Sequence, residues 1–464
     1  MAHDGLMVSV SGIRGRVGEA LTPEIVASYA AAFGAWALKK NAGRSVVIGR
    51  DSRVSGPMFH RVAIGALQSV GANVIDLDLT TTPTCQLAVE DHHAGGGIML
   101  SASHNPIEWN GLKFIGPTGL FLEAAEGTEM RAIVERGIPR ATWDHLGVVE
   151  TDTGAAERHL ERILKIPFLN VAAIRKRKFK IALDCVHGAG AVIIPALLER
   201  LGCTVTSIHM EPTGRFPHPP EPVAENLKEL EQLVHHCHAD LGIAVDPDVD
   251  RLALVSEAGK AIGEDYTLAL ASMLVLKHRK GPVVTNLSTS LVVEDAVTRG
   301  GSTLTRAPVG EVNVAVRMRE MRAVVGGEGN GGVILPEVHL GRDAPLGIAL
   351  ILQLLTETGK TLSAITAELP RYAIVKDKLD RPKASLDSVY AALRKTFADA
   401  VVDTQDGLRL AWTGRWLHVR PSGTEPIVRV IAEAPTEKEA RSLVERAREP
   451  LEKLDAAVAA GSAA

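Results

Sequence analysis

Short apolar runs that end in polar residues or glycine recur along the first 290 residues, and segments with helical periodicity fill the gaps between them. The runs are SVVIGRD (45–51), ANVIDLD (72–78), GGIMLSAS (96–103), FKIALDCV (179–186), TVTSIHM (204–210), LGIAVDPD (241–248) and GPVVTNLS (281–288). Helices are predicted over Pro23–Lys40, Pro57–Val70, Gly190–Leu201 and Asp265–Arg279, several opened by a proline or a small polar residue. Alternation of this kind predicts parallel sheets covered by helices. The polar ends of VVIGRD, KIALDCVHGAG and GIAVDPDVD then matter, because open α/β sheets bind ligands beyond the carboxyl ends of their strands.

A chain of 464 residues exceeds what one hydrophobic core supports. The texture divides it into three consecutive αβ domains with mixed, mainly parallel sheets, over 1–153, 154–258 and 259–370, and a C-terminal α+β domain over 371–464. The four are expected to surround a central cleft. In the last of them a helical middle gives way to strand-like GLRLAWTGRWLHVRP and IVRVIAEA, then to a helix over Thr436–Leu451. The small-residue tail AAVAAGSAA is expected to fray.

The 51 basic and 55 acidic residues are well mixed and give a net charge of −4, so no broad field attracts nucleic acid or an anionic membrane. Cys85, Cys185, Cys203 and Cys237 are widely spaced, without a CxxC pair, and read as reduced core thiols. The opening MAHDGLMVSVSGIRGRVG is too charged for a signal peptide, and the apolar stretch from Tyr266 to Leu276 falls short of the ~20 residues that span a bilayer. A cytoplasmic enzyme acting on a small molecule is expected, as a monomer or homodimer, with no nucleic-acid or membrane partner.

Four constellations carry chemistry. In Leu100-Ser101-Ala102-Ser103-His104-Asn105-Pro106, Ser103 sits where a strand gives way to a polar loop. A Ser103–His104 dyad is geometrically poor if the segment is extended, since neighbouring side chains then point to opposite faces. No G-x-S-x-G elbow encloses the serine. In Asp246-Pro247-Asp248-Val249-Asp250-Arg251, three carboxylates within five residues repel one another unless a cation neutralises them. A hard divalent ion such as Mg²⁺ suits oxygen ligands of this kind. An EF-hand using Asp246, Asp248, Asp250 and Glu257 is disfavoured by Arg251 at the position that requires glycine, an aspartyl-nucleophile phosphatase using Asp246 and Asp248 leaves Asp250 and Arg251 unexplained, and the bland alternative is a solvated acidic turn. The glycine-rich stretch Gly326–Gly332 encloses Glu328 and Asn330, which can hydrogen-bond vicinal hydroxyls of a sugar. Finally Arg420-Pro421-Ser422-Gly423-Thr424-Glu425-Pro426, followed by Arg429, makes a cradle for an unreacted phosphate.

In this order the four stretches resemble the α-D-phosphohexomutase superfamily, which includes phosphoglucomutase, phosphomannomutase and phosphoglucosamine mutase. SASHNP is similar to its phosphoserine loop, DPDVDR to its metal loop, GEGNG to its sugar loop and RPSGTEP to its phosphate loop. SGIRG (11–15), IGRDSRVSG (48–56), LDCVHGAG (183–190) and FPHPPEPVAENL (216–227) resemble its framework. The motifs are most similar to archaeal-type phosphoglucosamine mutase, although Asn330 and Gly332 stand where many relatives carry a serine and a histidine.

The resemblance implies that Ser103 carries a phosphoryl group and binds Mg²⁺ together with Asp246, Asp248 and Asp250. It also implies that Arg14 and Arg251 steady that group, with His104 beside it, and that Lys113 assists proton transfer. Glu328 and Asn330 would read sugar hydroxyls, and Arg420, Ser422, Gly423, Thr424 and Arg429 would grip the spectator phosphate. The activity implied is exchange between hexose 1- and 6-phosphates of glucosamine, glucose or mannose through a 1,6-bisphosphate, a trace of which would activate the enzyme. Two alternatives are a metal-dependent sugar-phosphate phosphatase and a non-catalytic sugar-phosphate scaffold. His235, His236 and His238 read as surface residues of a helix.

Overall fold

The computed structural model describes residues 5–40, 45–422 and 427–461. Four sheets follow one another along the chain. The first has seven strands in the spatial order Met7–Val8, Gly12–Arg16, Trp109–Ile115, Gly96–Leu100, Ser45–Arg50, Asn73–Leu79 and Val149–Thr151. Ser45–Arg50 pairs in parallel with Asn73–Leu79 and Gly96–Leu100, while Trp109–Ile115 runs antiparallel to Gly96–Leu100 and to Gly12–Arg16. Successive residues of a strand face opposite sides, and here both sides are core. Val46, Ile48, Ile98, Leu100 and Phe114 pack with Phe33 and Trp36 on one face, whereas Val47, Met99 and Ile115 pack with Cys85 and Val89 on the other.

The second and third sheets share one plan, three parallel strands and one antiparallel edge. The second is ordered Leu252–Ser256, Leu241–Val245, Lys180–Asp184, Thr204–Ile208, and the third Leu304–Ala307, Val283–Asn286, Val325–Glu328, Gly332–Ile334. One hydrophobic cluster runs through both units, joining Leu183, Ile243 and Val245 to Leu268, Val293, Leu346 and Leu350. The fourth sheet is wholly antiparallel: Ala373–Asp380, Ile427–Ala434, Arg415–Pro421, Leu408–Trp412 and Val401–Asp403. Helices Leu386–Thr396 and Glu437–Gly461 bury Val389, Leu393, Leu443 and Val444 against it. Three αβ units and an antiparallel C-terminal unit are thus the architecture, as the alternation implies.

Several boundaries differ from the sequence reading. The strands expected over 96–103 and 241–248 stop at Leu100 and Val245, because the polar residues that follow turn their side chains onto their own loop. The helix expected over 190–201 splits into a 3₁₀ turn at Ala189–Val192 and a helix at Ile194–Arg200, consistent with Pro195 favouring a helix start. The last helix continues to Gly461, ten residues beyond Leu451, through an alanine-rich stretch that favours helix, and the end of the tail expected to fray, residues 462–464, lies outside the described residues. Among the described residues no helix is long and apolar enough to cross a membrane.

Candidate phosphoryl-transfer site

The serine loop leaves the carboxyl end of strand Gly96–Leu100 and is held from beneath by residues of the neighbouring strand end. Arg53 is wholly buried, and its guanidinium donates to four backbone carbonyls of the loop: Ser103 O at 2.6 Å, Asn105 O and Pro106 O at 2.7 Å, and Trp109 O at 2.8 Å. Asp51 accepts from Arg53 Nε at 3.2 Å and from Ser101 Oγ at 2.6 Å, and Ser101 Oγ in turn accepts from Ser103 N at 2.8 Å. Burial pushes the Asp51 carboxyl up and Arg53 restrains the rise. This clamp holds Ser103 at φ 47°, in the left-handed region where a serine is uncommon.

That conformation corrects the objection to a Ser103–His104 contact. The segment is not extended at Ser103, so His104 Nδ1 lies 3.4 Å from Ser103 Oγ. Burial and then the charges of Arg251 and Arg14 hold the His104 imidazole well below its ordinary value. Arg14, on strand Gly12–Arg16, donates to Asn105 Oδ1 at 2.9 Å.

The three aspartates meet this serine. Ser103 Oγ donates to Asp246 Oδ2 at 2.7 Å, across 143 residues of sequence. Asp246 Oδ1 accepts from the N–H groups of Asp250 and Arg251, which closes the Asp loop on itself. Asp248 Oδ2 is taken by Lys113 Nζ at 2.5 Å and by Thr82 Oγ1. Asp250 Oδ2 is taken by Arg342 at 2.7 Å and Lys113 at 3.2 Å. Asp248 Oδ1 and Asp250 Oδ1 are buried without a hydrogen-bond partner among the described residues. Burial, then the charges of Asp250 and Asp248, drives the Asp246 carboxyl well above the usual range. For Asp250 burial works the same way but is outweighed by Arg342 and Lys113, which hold it low. The trio is therefore partly neutralised by protein cations. Val249 takes φ 68° within this loop, a genuine outlier for a β-branched residue.

This donor set fits a hard divalent cation. One oxygen of Asp248 and one of Asp250 is tied back to protein donors while the other is buried without a hydrogen bond among the described residues, and ligand atoms from Asp246, Asp248 and Asp250 lie within 4.8 Å of one another. Buried carboxylate oxygens without a donor are costly unless something positive meets them.

On the far side of Arg342 from Asp250, Glu328 ends strand Val325–Glu328 and is buried. Its Oε1 accepts from Asn286 Nδ2 at 2.8 Å and Gly310 N at 3.1 Å, and its Oε2 from Arg342 at 2.6 Å and Asn330 Nδ2 at 3.4 Å. Gly331, at φ 88°, brings the end of this loop against the Asp loop: Leu252 N donates to Gly331 O at 3.1 Å, and a Cβ at 331 would lie 2.3 Å from Leu252 O. In the last sheet Arg420 and Arg429 stand opposite each other, and Ser422 N donates to Ile427 O. Arg420 Nε lies 2.9 Å from Asp406 Oδ2, which also accepts from Val309 N, one residue before the Gly310 that serves Glu328. Gly423 and Thr424 lie outside the described residues.

Sequence reasoning singles out neither Arg342 nor the two groups that orient predicted residues from afar. Arg53 organises the serine loop, and Glu221, in FPHPPEP, accepts from Arg251 at 3.1 Å. No spacing rule connects such partners. Two histidine-containing clusters are equally invisible in spacing, His159–His339–Asp343 and Asp184–His209–His218. His235, His236 and His238 are exposed, on or just past helix Lys228–Cys237. All four cysteines are free, Cys85 and Cys185 buried and Cys203 and Cys237 half-buried.

Comparison with known proteins adds an independent line. Sequence profiles described as phosphoglucomutase/phosphomannomutase alpha/beta/alpha domains I, II and III match residues 6–140, 157–259 and 263–372, and the profile of the C-terminal domain matches 373–449. A protein of Methanopyrus kandleri named "Probable phosphoglucosamine mutase" is 38% identical over 445 residues, covering 95% of this chain and 96% of its own. A "Phosphoglucomutase/phosphomannomutase" of Thermococcus kodakarensis is 37% identical over 455 residues, covering 95% and 97%. The crystal structure of a phosphoglucomutase/phosphomannomutase family protein from Burkholderia thailandensis shares the fold with a TM-score of 0.83 at 24% identity, over 96% of both chains.

Proposed function

The chain belongs to the phosphoglucomutase/phosphomannomutase family and is a phosphohexomutase, and from that premise we infer that Ser103 is the residue that carries the phosphoryl group. One observation carries this reading: Ser103 Oγ lies 2.7 Å from Asp246 Oδ2, so the hydroxyl and the aspartate trio form one buried site. Asp246, Asp248 and Asp250 would hold Mg²⁺ with Ser103. Bound there, the ion would supply positive charge against the phosphoryl oxygens.

The protein groups divide the remaining work. As the P–Oγ bond at Ser103 breaks, a P–O bond forms to a sugar hydroxyl; that hydroxyl gives up a proton while Oγ gains one, so no net proton is consumed. Lys113, whose charge is held by Asp248 and Asp250 against the effect of burial, can donate a proton but not take one up, and His104, 3.4 Å from Ser103 Oγ, is the group placed to relay it. Arg14 and Arg251 add charge beside the serine, and Arg251 Nε is buried without a hydrogen-bond partner among the described residues, a donor available to a phosphoryl oxygen. At Glu328 both oxygens already accept two donors, and the 3.4 Å contact from Asn330 is the one a sugar hydroxyl displaces most readily. Arg420, Ser422, Gly423, Thr424 and Arg429 grip the second phosphate. The 1,6-bisphosphate intermediate turns round between the two transfers, which requires a grip that reads phosphate and not the rest of the sugar.

The substrates are hexose phosphates of the glucosamine, glucose or mannose series, consistent with relatives named for each. Purified protein, Mg²⁺ and a trace of glucose 1,6-bisphosphate, supplied in turn with glucosamine, glucose and mannose 6-phosphates, should form the corresponding 1-phosphates. The Ser103→Ala variant should lose at least about a thousandfold in turnover. Steady release of inorganic phosphate without an isomer, or full turnover in Ser103→Ala, would refute the assignment.

A further inference from the structure

We propose that Arg342 is a positioning residue that couples the cation-binding aspartates to the sugar-reading carboxylate, a role that rests on the phosphohexomutase reading above. Its backbone is fixed by its neighbour. Asp343 caps helix Ala344–Thr358 by accepting from Leu346 N at 3.0 Å, and its other oxygen meets His159 at 2.7 Å and His339 at 3.1 Å. From that rigid point the guanidinium reaches three carboxylates on three separate segments: Asp250 Oδ2 at 2.7 Å through Nη2, Glu328 Oε2 at 2.6 Å through Nη1, and Glu311 Oε2 at 2.9 Å through Nε. Glu311 is braced from the first domain by Gln86 Nε2 at 3.1 Å.

The geometry gives this fork two consequences. Fixing Asp250 Oδ2 turns the carboxylate so that Oδ1 is left without a hydrogen bond among the described residues, with only Arg251 Nε at 3.9 Å near it, and Oδ1 is the atom a cation would use. The fork is planar and rigid, so a shift of Glu328 Oε2 on sugar binding is felt at Asp250 Oδ2 through one group. A lysine has a single point charge and cannot span both. The chain also keeps space for the stem: a Cβ on Gly332 would lie 2.2 Å from Arg342 Cδ and 2.8 Å from its Cγ, so the residue beside the sugar loop stays bare. Binding of a hexose phosphate and binding of a divalent cation should then strengthen each other, and by the same factor in both directions.

The test uses full-length dephosphorylated protein, Mn²⁺ as the cation probe followed by electron paramagnetic resonance, and glucose 6-phosphate as the sugar probe. In the unaltered protein, glucose 6-phosphate should tighten Mn²⁺ binding by about fivefold or more, and in Arg342→Lys that coupling should fall below about twofold. Gly332→Ala removes no charge but pushes the Arg342 stem aside, so it should lose the coupling as well, and it decides the matter alone if Arg342→Lys does not fold. Coupling that is absent from the unaltered protein, or retained in Gly332→Ala, overturns the proposal. The isomerisation assay reads the function separately: unaltered protein that turns over while Gly332→Ala keeps its coupling refutes the role of Arg342 alone, whereas unaltered protein that forms no isomer refutes the function itself.

Discussion

Arg53 is closed off from solvent, its guanidinium hydrogen-bonding to backbone and to one carboxylate and stacking over the Phe216 ring at 5.0 Å. With Asp51 at its Nε and four loop carbonyls at its terminal nitrogens, it fixes where Ser103 can be. Replacing it with methionine leaves Asp51 buried and uncompensated, and the change should cost about 3–5 kcal/mol in thermal or denaturant unfolding. A loss below about 1 kcal/mol would show that the loop does not depend on the clamp. At this scale the sequence is legible where chemistry is written contiguously. Ser103 and the Asp246–Asp250 triplet announce themselves because a polar loop and three close carboxylates are odd at the ends of apolar strands. Arg53, Glu221 and Arg342 do not, since their partners lie tens of residues away and a buried arginine looks like any other in the sequence. The Ser103–His104 contact is not legible for a local reason, the left-handed φ of Ser103, which spacing does not encode.

Among the elements, the strands and helices of the αβ units follow directly from apolar runs and helical period, and errors fall at their ends. Those ends are where side chains compete with the ladder: Ser101 and Asp246 bond backbone within their own loops. The segment after strand Thr204–Ile208 shows the same competition with a measurable effect. Asp184, at the end of its strand, meets His209 Nδ1 at 3.1 Å and His218 Nε2 at 3.0 Å, and His218 Nδ1 faces Pro219 O at 2.9 Å. Burial alone would raise Asp184 and lower His218, but their mutual hydrogen bond reverses both, leaving Asp184 below and His218 above its ordinary value. The aspartate's contribution is complete above the ordinary carboxylate range and is lost as pH falls through its depressed value. The histidine's is complete below about pH 6.5 and is lost as pH rises through its raised value. Melting temperature against pH should therefore show a decline above about pH 6.5 that His218→Gln flattens, and identical slopes in the two proteins would contradict the pairing.

At the scale of the molecule, the four-unit plan and its order along the chain are legible, while the joints between units are not. Domain-to-domain bonds such as Thr82 to Asp248, Gln86 to Glu311 and Ser288 to His418 arise from residues that look unremarkable in the sequence. They matter because the proposed reaction needs all four units to meet, with the phosphoserine, cation, sugar and phosphate loops each supplied by a different one. The most direct measurement is transfer of labelled phosphoryl from a hexose 1,6-bisphosphate onto the protein, followed by intact mass and peptide mapping with and without a chelator. A single added phosphoryl group is expected on the peptide containing Ser103, formed with Mg²⁺ and abolished by the chelator and by Asp248→Asn. Label on another residue, or labelling of Ser103 that neither the chelator nor Asp248→Asn reduces, would contradict the shared site.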